Sequence, residues 1–308
     1  MSAAVIALKL VKTYGAKKEK IQALKGVSFE VAQGEIFGII GPDGAGKTSL
    51  FRILTTLLLP EGGQATVDGF DVVQDYKAIR QRVGYMPGRF SLYQDLTVAE
   101  NLEFFAAIFH TTIQENYDLI KDIYVQIEPF KDRRAGKLSG GMKQKLALCC
   151  ALIHRPTVLF LDEPTTGVDA VSRKEFWEML RKLKAEGITI LVSTPYMDEA
   201  SLCDRVALIQ NGEIMSIDTP AAIISSFGKQ LVAVRADNMF QLLKDLQAFP
   251  GQQDSYAFGE DHHVVLVPTS NAQEVEVYLQ KKGYSNLQVQ PVTPNIEDCF
   301  IDLMKSAS

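Results

Sequence analysis

The sequence predicts an α/β fold built on a parallel sheet, followed by a smaller α+β domain. Three observations predict it. Wholly apolar β-runs, Thr157–Leu161 and Ile188–Ser193, alternate with helical stretches, and a strand apolar on both faces belongs inside a parallel sheet. The run Glu35–Ile40 leads through a glycine-rich loop into the apolar stretch Leu50–Leu59, a strand–loop–helix order. Beyond Ser225–Lys229 the pattern becomes strand, helix, strand, strand, helix, strand, the split βαβ arrangement of ferredoxin-like domains.

The elements follow in order. Val5–Val11 and Val27–Val31 read as strands ahead of Glu35–Ile40. Thr97–Phe109 carries apolar residues at helical spacing, and a more polar helical stretch continues to about Phe130. Phe176–Ala185 is amphipathic. Val206–Gln210 and Glu213–Ile217 flank Asn211-Gly212, the strongest short-range hairpin signal. In the last part we expect strands at Gln230–Arg235, Asp254–Phe258, His263–Val267 and Leu287–Pro291. Helices are expected at Met239–Phe249, Ala272–Lys282 and Ile296–Met304. The expected division is 1–228 and 229–308.

Composition narrows the function. The chain has 308 residues, 46% hydrophobic and 22% charged, enough to bury a sizeable core. Lys and Arg number 32 against 37 Asp and Glu, a net charge of −5, so no basic field exists to hold a nucleic acid backbone. Four cysteines, Cys149, Cys150, Cys203 and Cys299, have neither disulfide-framework nor zinc-ligand spacing, which suits a reducing compartment. The N-terminal stretch alternates like a strand and lacks a leader's apolar core, and no run reaches the roughly 18–20 apolar residues of a membrane span.

Chemistry concentrates in three places. Gly41-Pro42-Asp43-Gly44-Ala45-Gly46-Lys47-Thr48, followed by Ser49, matches G-x-x-x-x-G-K-[ST] between a strand and a helix. Glycines let backbone N–H groups approach phosphate oxygens, and the helix N-terminus adds positive potential. Lys47 adds a full charge and the Thr48 hydroxyl can ligate Mg²⁺. Next, the apolar run Thr157–Leu161 ends in Asp162-Glu163, placing one acid for a metal and one to polarise a water. Finally, Leu138-Ser139-Gly140-Gly141-Met142 opens the helical stretch Lys143–His154, a second phosphate-binding device at a helix N-terminus.

Together these motifs resemble the ATP-binding cassette (ABC) ATPases over nearly all of 1–228. The resemblance implies a P-loop NTPase cassette: a parallel-sheet core, an antiparallel β subdomain and a helical subdomain. It implies ATP and Mg²⁺ as ligands, Lys47 and Glu163 as catalytic groups, and Thr48 and Asp162 at the metal. Tyr14 falls where the family stacks an aromatic on adenine, and a sheet-face tyrosine is its structural alternative. Asp169, in Thr166-Gly167-Val168-Asp169-Ala170, falls in the loop by which two cassettes touch, and would equally serve as a helix cap. In the family the signature faces a γ-phosphate held by another subunit's P-loop, so two cassettes sandwich two ATP molecules.

Two positions depart from the family pattern. Gly88, in Val83-Gly84-Tyr85-Met86-Pro87-Gly88, stands where the family has a glutamine at Mg²⁺ and the attacking water. Pro195, in Leu191–Ala200, stands where it has a histidine donating to the γ-phosphate, and proline offers neither side-chain donor nor N–H. Losing one such donor costs a factor of roughly 10² to 10³ in turnover. The chain's own site should therefore bind ATP and hydrolyse it slowly, while its signature completes the site of a partner cassette, identical or sister.

The resemblance extends to the ATPase subunits of bacterial drug and polysaccharide exporters, through Leu92–Val98, Thr165–Asp169, Tyr196–Ala200 and Pro294–Phe300. It implies a separate membrane permease and peripheral placement at the cytoplasmic face of the inner membrane, with the last domain as accessory or regulatory. A nucleotide-binding scaffold that never hydrolyses is one alternative. A non-transport cassette acting on ribosomes or DNA is another, disfavoured by the single cassette and acidic balance. Of the remaining candidates, His154 is expected to complement a helix dipole and Lys17–Lys20 to be a solvated loop. Phe104, Phe105 and Phe109 should be mostly core, with some left exposed because the resemblance implies that this helical subdomain receives a helix of the membrane subunit. One of Cys149 and Cys150 is expected to face the core. His262 and His263, at an expected hairpin turn beside Glu260 and Asp261, are a metal candidate with no cysteine support.

Overall fold

A computed structural model describes residues 3–15, 20–89 and 91–306. The expected loop at Lys17–Lys20 thus lies largely outside the described residues. The chain forms two compact units, dividing between Pro220 and Ala221, a few residues ahead of the expected 228/229 boundary. The difference is helix Pro220–Ser226, which groups with the second unit: the Ile223 carbonyl accepts from Cys299 Sγ at 3.6 Å.

In the first unit β1 (Ala3–Tyr14) and β2 (Ile21–Ala32) form a long antiparallel pair. The buried β3 (Ile36–Ile40) follows, then the P-loop and α1 (Lys47–Leu54), shorter than the apolar run to Leu59 suggested. Next come β4 (Gly62–Val67), β5 (Phe70–Asp71), α2 (Tyr76–Arg80) and β6 (Val83–Met86). The helical part contains α3 (Val98–Ile108), α4 (Tyr117–Tyr124) and α5 (Gly140–Leu152). Then follow β7 (Val158–Asp162), α6 (Ala170–Ala185), β8 (Thr189–Thr194) and the hairpin β9 (Arg205–Gln210) and β10 (Glu213–Asp218).

These strands make two sheets. One is antiparallel, ordered β2-β1-β4-β5. The other is ordered β10-β9-β3-β8-β7-β6 and is parallel except at the β10 edge. Both faces of its central strands are covered: every residue of β3, β7 and β8 is buried. Phe51 of α1 meets Phe160 of β7 edge-on, with centroids 5.7 Å apart. That contact seats α1, and hence the P-loop, over the carboxyl ends of the parallel strands, where open α/β sheets bind ligands.

Local chemistry sets the helix starts. Thr97 caps α3 through a reciprocal box: its hydroxyl accepts from Glu100 N, and Glu100 Oε2 accepts from Thr97 N. Asp169 caps α6, accepting from Val171 N and Ser172 N. His154, just beyond α5, overturns the dipole expectation. Burial lowers its pKa to about 4, so it is neutral at pH 7; its Nε2 lies 3.1 Å from the Val83 carbonyl and its ring stacks on Phe109. Phe104 is exposed, as expected of some of these aromatics, while Phe105 and Phe109 are half-buried rather than core. Phe105 and Phe109 instead line an apolar cavity of about 520 Å³ with Leu57, Tyr85, Met86 and Leu92. Cys149 and Cys150 are both buried, where only one was expected to face the core.

The second unit contains α7 (Pro220–Ser226), β11 (Gln230–Arg235), α8 (Met239–Gln247), β12 (Gln252–Phe258), β13 (Asp261–Leu266), α9 (Ala272–Lys281), β14 (Gln288–Pro291) and α10 (Ile296–Ser306). Its antiparallel sheet is ordered β12-β13-β11-β14, the ferredoxin-like order. Val232, Val234 and Val264 pack with Leu242 and Leu246 of α8 and Val275 and Leu279 of α9. His262 and His263 lie within β13, not at a turn, and face opposite ways: His262 Nε2 meets the Met239 carbonyl, His263 Nδ1 meets Asp298.

Asp298 is wholly buried and anchors α10. It accepts from Tyr256 Oη at 2.8 Å and Asn295 N at 2.8 Å, and pairs with His263 Nδ1 at 2.7 Å. Burial alone would raise its pKa, but the His263 ring, the Asn295 N–H and the Tyr256 hydroxyl outweigh burial and hold it below the ordinary 3.8. Its contribution to stability is therefore complete above that value and is lost as pH falls through the lowered one. Urea melts of the chain should lose stability on acidification below about pH 4. Asp298→Asn should cost roughly 1.5–3 kcal/mol at pH 7 and flatten that acid slope; an unchanged slope refutes the assignment.

Candidate functional site

The site assembles at the carboxyl ends of β3, β7 and β8, which lie side by side in the sheet. Gly46, at φ 105°, turns the chain from loop into α1, and a Cβ there would stand 2.3 Å from the Ala23 carbonyl. The loop wraps around one cation. Lys47 is 3% exposed, and its Nζ donates to the carbonyls of Gly41 at 2.8 Å and Pro42 at 3.0 Å. The same Nζ is 3.2 Å from Glu163 Oε1. Asp43 and Gly44 are exposed at the loop's outer turn, Ala45 is buried beneath it, and Thr48 is the second residue of α1.

Asp162 ends β7 and is 2% exposed, accepting from Ser193 Oγ of β8 at 2.5 Å. Glu163, next in sequence, is bent away from the strand at φ 51°, in the left-handed region costly for a side chain. Its N–H is held by the Ser193 carbonyl at 2.9 Å and lies 3.2 Å from Ser193 Oγ. The bend separates the two acids' roles: Asp162 points into the sheet end, Glu163 toward Lys47. Thr48 and Asp162 supply the hard oxygen donors that suit Mg²⁺ shared with phosphate. No cluster of three or more His, Cys, Asp or Glu forms a metal cage among the described residues.

The departed positions lie here too. A Cβ on Gly88 would stand 3.0 Å from the Asp162 carbonyl and 3.6 Å from Glu163 Cβ, so this position faces both acids with no side chain to offer. Pro195 directly follows β8, beside Ser193 and Thr194. Tyr14 Oη lies 3.1 Å from Ser49 Oγ, and its ring, 41% exposed, borders the P-loop helix.

The signature residues gather elsewhere. Ser139 caps α5, its Oγ accepting from Met142 N at 3.4 Å, with Ser139 and Gly140 exposed and Leu138 buried. A Cβ on Gly141 would meet Ser172 Oγ at 2.8 Å and one on Gly140 the Gly167 carbonyl at 3.5 Å. The signature therefore packs against the start of α6 and the loop ending at Asp169. Sequence reasoning did not single out Ser193, Thr194 or Glu199. Glu199 is 1% exposed and accepts from Thr194 Oγ1 and Thr165 Oγ1. The available signal was a carboxylate next to Ala200, in a stretch read for what Pro195 lacks and for its family resemblance.

Comparison with known proteins agrees with this geometry. The ABC transporter family model matches residues 24–166. The probable multidrug ABC transporter ATP-binding protein YbhF of Escherichia coli is 39% identical over 278 residues, covering 89% of this chain. The chain spans about half of YbhF's length, 48%. The Nod factor export ATP-binding protein I of a Rhizobium species is 36% identical over 284 residues, covering 91% of each. The daunorubicin resistance ATP-binding protein DrrA2 of Streptomyces coeruleorubidus is 34% identical over 317 residues, covering 97% of this chain and 94% of DrrA2. Among solved structures, the dimeric cassette MJ0796 bound to ADP and Pi aligns over 70% of this chain and 98% of its own, with TM-score 0.64 and 26% identity. With the P-loop, the strand-end acids and the signature in one cassette fold, and two of these relatives matched over nearly their whole lengths, the chain belongs to the ABC transporter ATP-binding proteins.

Proposed function

We propose that this chain is the ATP-binding, slowly hydrolysing subunit of an exporter, pairing with a second cassette around ATP and driving a separate membrane permease. The observation carrying this reading is the asymmetry within the site. The P-loop, Lys47, Asp162 and Glu163 converge, while the two flanking positions, Gly88 and Pro195, offer no donor. The signature at Ser139–Gly141 is intact and opens outward on an exposed helix start. A cassette that gives a complete signature and keeps an incomplete site fits one half of an unequal pair.

The residues would act as follows. Backbone N–H groups of Gly44–Lys47 and the N-terminus of α1 hold the phosphates, with Tyr14 against the adenine. Lys47, held between loop carbonyls and Glu163, turns its charge to the β- and γ-phosphates. Thr48 and Asp162 would hold Mg²⁺ carried in with the nucleotide, which would supply positive charge against the transferred phosphate. Glu163 orients a water toward that phosphate. Without a glutamine or histidine beside it, that water is poorly fixed, and turnover is slow. Asp169 and its loop meet the partner cassette. The aromatic-lined cavity beside α3 receives a permease helix, placing the chain at the cytoplasmic face of the inner membrane. No helix among the described residues is long and apolar enough to cross a membrane. Relatives named for multidrug transport, Nod factor export and daunorubicin resistance support the exporter reading.

Single-turnover phosphate release tests the asymmetry. The purified chain should bind ATP with Mg²⁺ yet release phosphate about 10²–10³ times more slowly than a cassette with both donors. Ordinary rates from this chain alone would overturn the unequal pair, and no release with any partner cassette would make it a scaffold. Gly88→Gln with Pro195→His should raise turnover at least tenfold, after the Asp162 carbonyl yields a few tenths of an ångström to the new Cβ. Lys47→Ala should weaken ATP binding at least tenfold, read by titration calorimetry, because the loop loses the charge it is folded around.

A further inference from the structure

One buried carboxylate holds together two segments that sequence separates. Glu199 lies in the short 3₁₀ turn Met197–Leu202. Its Oε1 accepts from Thr165 Oγ1 at 2.8 Å and its Oε2 from Thr194 Oγ1 at 2.6 Å. Thr165 is 1% exposed and Thr194 fully buried, so water is no substitute partner for either hydroxyl. Arg173 of α6 backs the carboxylate: its Nε stands 3.9 Å from Glu199 Oε1, its Nη2 donates to Asp198, and its guanidinium covers the Tyr196 ring.

What the two hydroxyls belong to gives the clamp its use. Thr165 begins the loop that ends at Asp169. The Thr194 carbonyl accepts from Gly41 N, the first residue of the P-loop, at 3.3 Å. Ser193, one residue earlier, donates to Asp162 and holds Glu163 N. A displacement of Thr165 therefore reaches both acids through one carboxylate and one strand end. A buried carboxylate stripped of one donor keeps its desolvation cost and loses its compensation, so the two arms favour being made together. Pro195 offers no side-chain donor and no N–H, so the turn after β8 is fastened by this clamp, by Tyr196 N–H to Thr194 Oγ1 and by Arg173 to Asp198.

We infer that Glu199 is a positioning residue that couples the loop Thr165–Asp169 to the Asp162–Glu163 centre, so that contact at the loop adjusts the acids. The purpose of this coupling rests on the proposed two-cassette reading; the clamp itself lies within one chain.

The test uses the full chain with Mg²⁺ and ATP. Thr165→Val keeps the shape and removes one arm; Glu199→Gln keeps the volume and removes the charge. Hydrogen exchange at the amides of Thr166–Val168 should quicken about tenfold in Thr165→Val, with the Gly44–Lys47 amides unchanged. Single-turnover phosphate release should fall about tenfold, with the ATP concentration at half-maximum within about twofold of the parent. Glu199→Gln should give the same pattern, and the double variant should add little to either single one. Unchanged exchange and rate in both variants overturn the clamp. So does a joint loss of melting temperature, ATP affinity and rate, which marks a merely structural residue. If the parent shows no ATP-dependent association, the two-cassette reading fails, while exchange still decides whether the clamp holds.

Discussion

A buried ammonium that must not be left alone organises this protein. Lys47 is almost wholly enclosed, and an unpaired charge in such a place costs several kcal/mol. Its partners are two backbone carbonyls and one carboxylate, at Gly41, Pro42 and Glu163. The carbonyls require the loop to curl tightly, which Gly46 permits. The carboxylate requires β7 to end beside β3's loop, which the sheet order provides through the single intervening strand β8.

The strand between them, β8, carries more of the site than its apolar sequence suggests. Ser193 fastens Asp162 and the Glu163 backbone, and Thr194 fastens the P-loop start and Glu199. Both acids are thus set by hydroxyl and backbone groups at the end of one buried strand. Glu163's left-handed backbone is held in place by the Ser193 carbonyl, a local strain of the kind that surrounding structure must over-determine. Against this well-fastened floor, Gly88 and Pro195 are two places where side-chain chemistry is withheld. On the proposed reading, the site keeps what binds nucleotide and omits what fixes the attacking water.

The second unit is built on different physics. Its sheet is antiparallel, its hydrophobic contacts fall mainly between β11, β13 and helices α8 and α9, and its closing helix is tied by the carboxylate of Asp298. That carboxylate does two jobs with its two oxygens: Oδ2 closes the capping box with Asn295, and Oδ1 faces Tyr256 and His263. On the proposed reading this unit is an accessory to the cassette.

Much of the molecule was legible from sequence because its signals are local. Buried parallel strands read as unbroken apolar runs, the hairpin at Asn211-Gly212 as a turn dipeptide, and the P-loop and signature as contiguous motifs whose glycines answer steric needs within a few residues. The split βαβ order was equally visible, since hydrophobic period alone distinguishes its elements. Other features depend on which residues meet across the fold, and no local pattern encodes that. Helix Pro220–Ser226 looked like the end of the cassette, and its contacts assign it to the second unit. His154 looked like a helix-end cation, and burial against Phe109 makes it neutral. Glu199 looked like one acid in a polar stretch, and only the packing of the 3₁₀ turn between β8 and the loop after β7 makes it a shared acceptor. Sequence by itself determined the cassette and its phosphate cradle, because backbone geometry there is written in adjacent glycines. Tertiary structure decided which hydroxyls satisfy which buried acids, because hydrogen bonding between distant segments depends on the sheet order that brings them together.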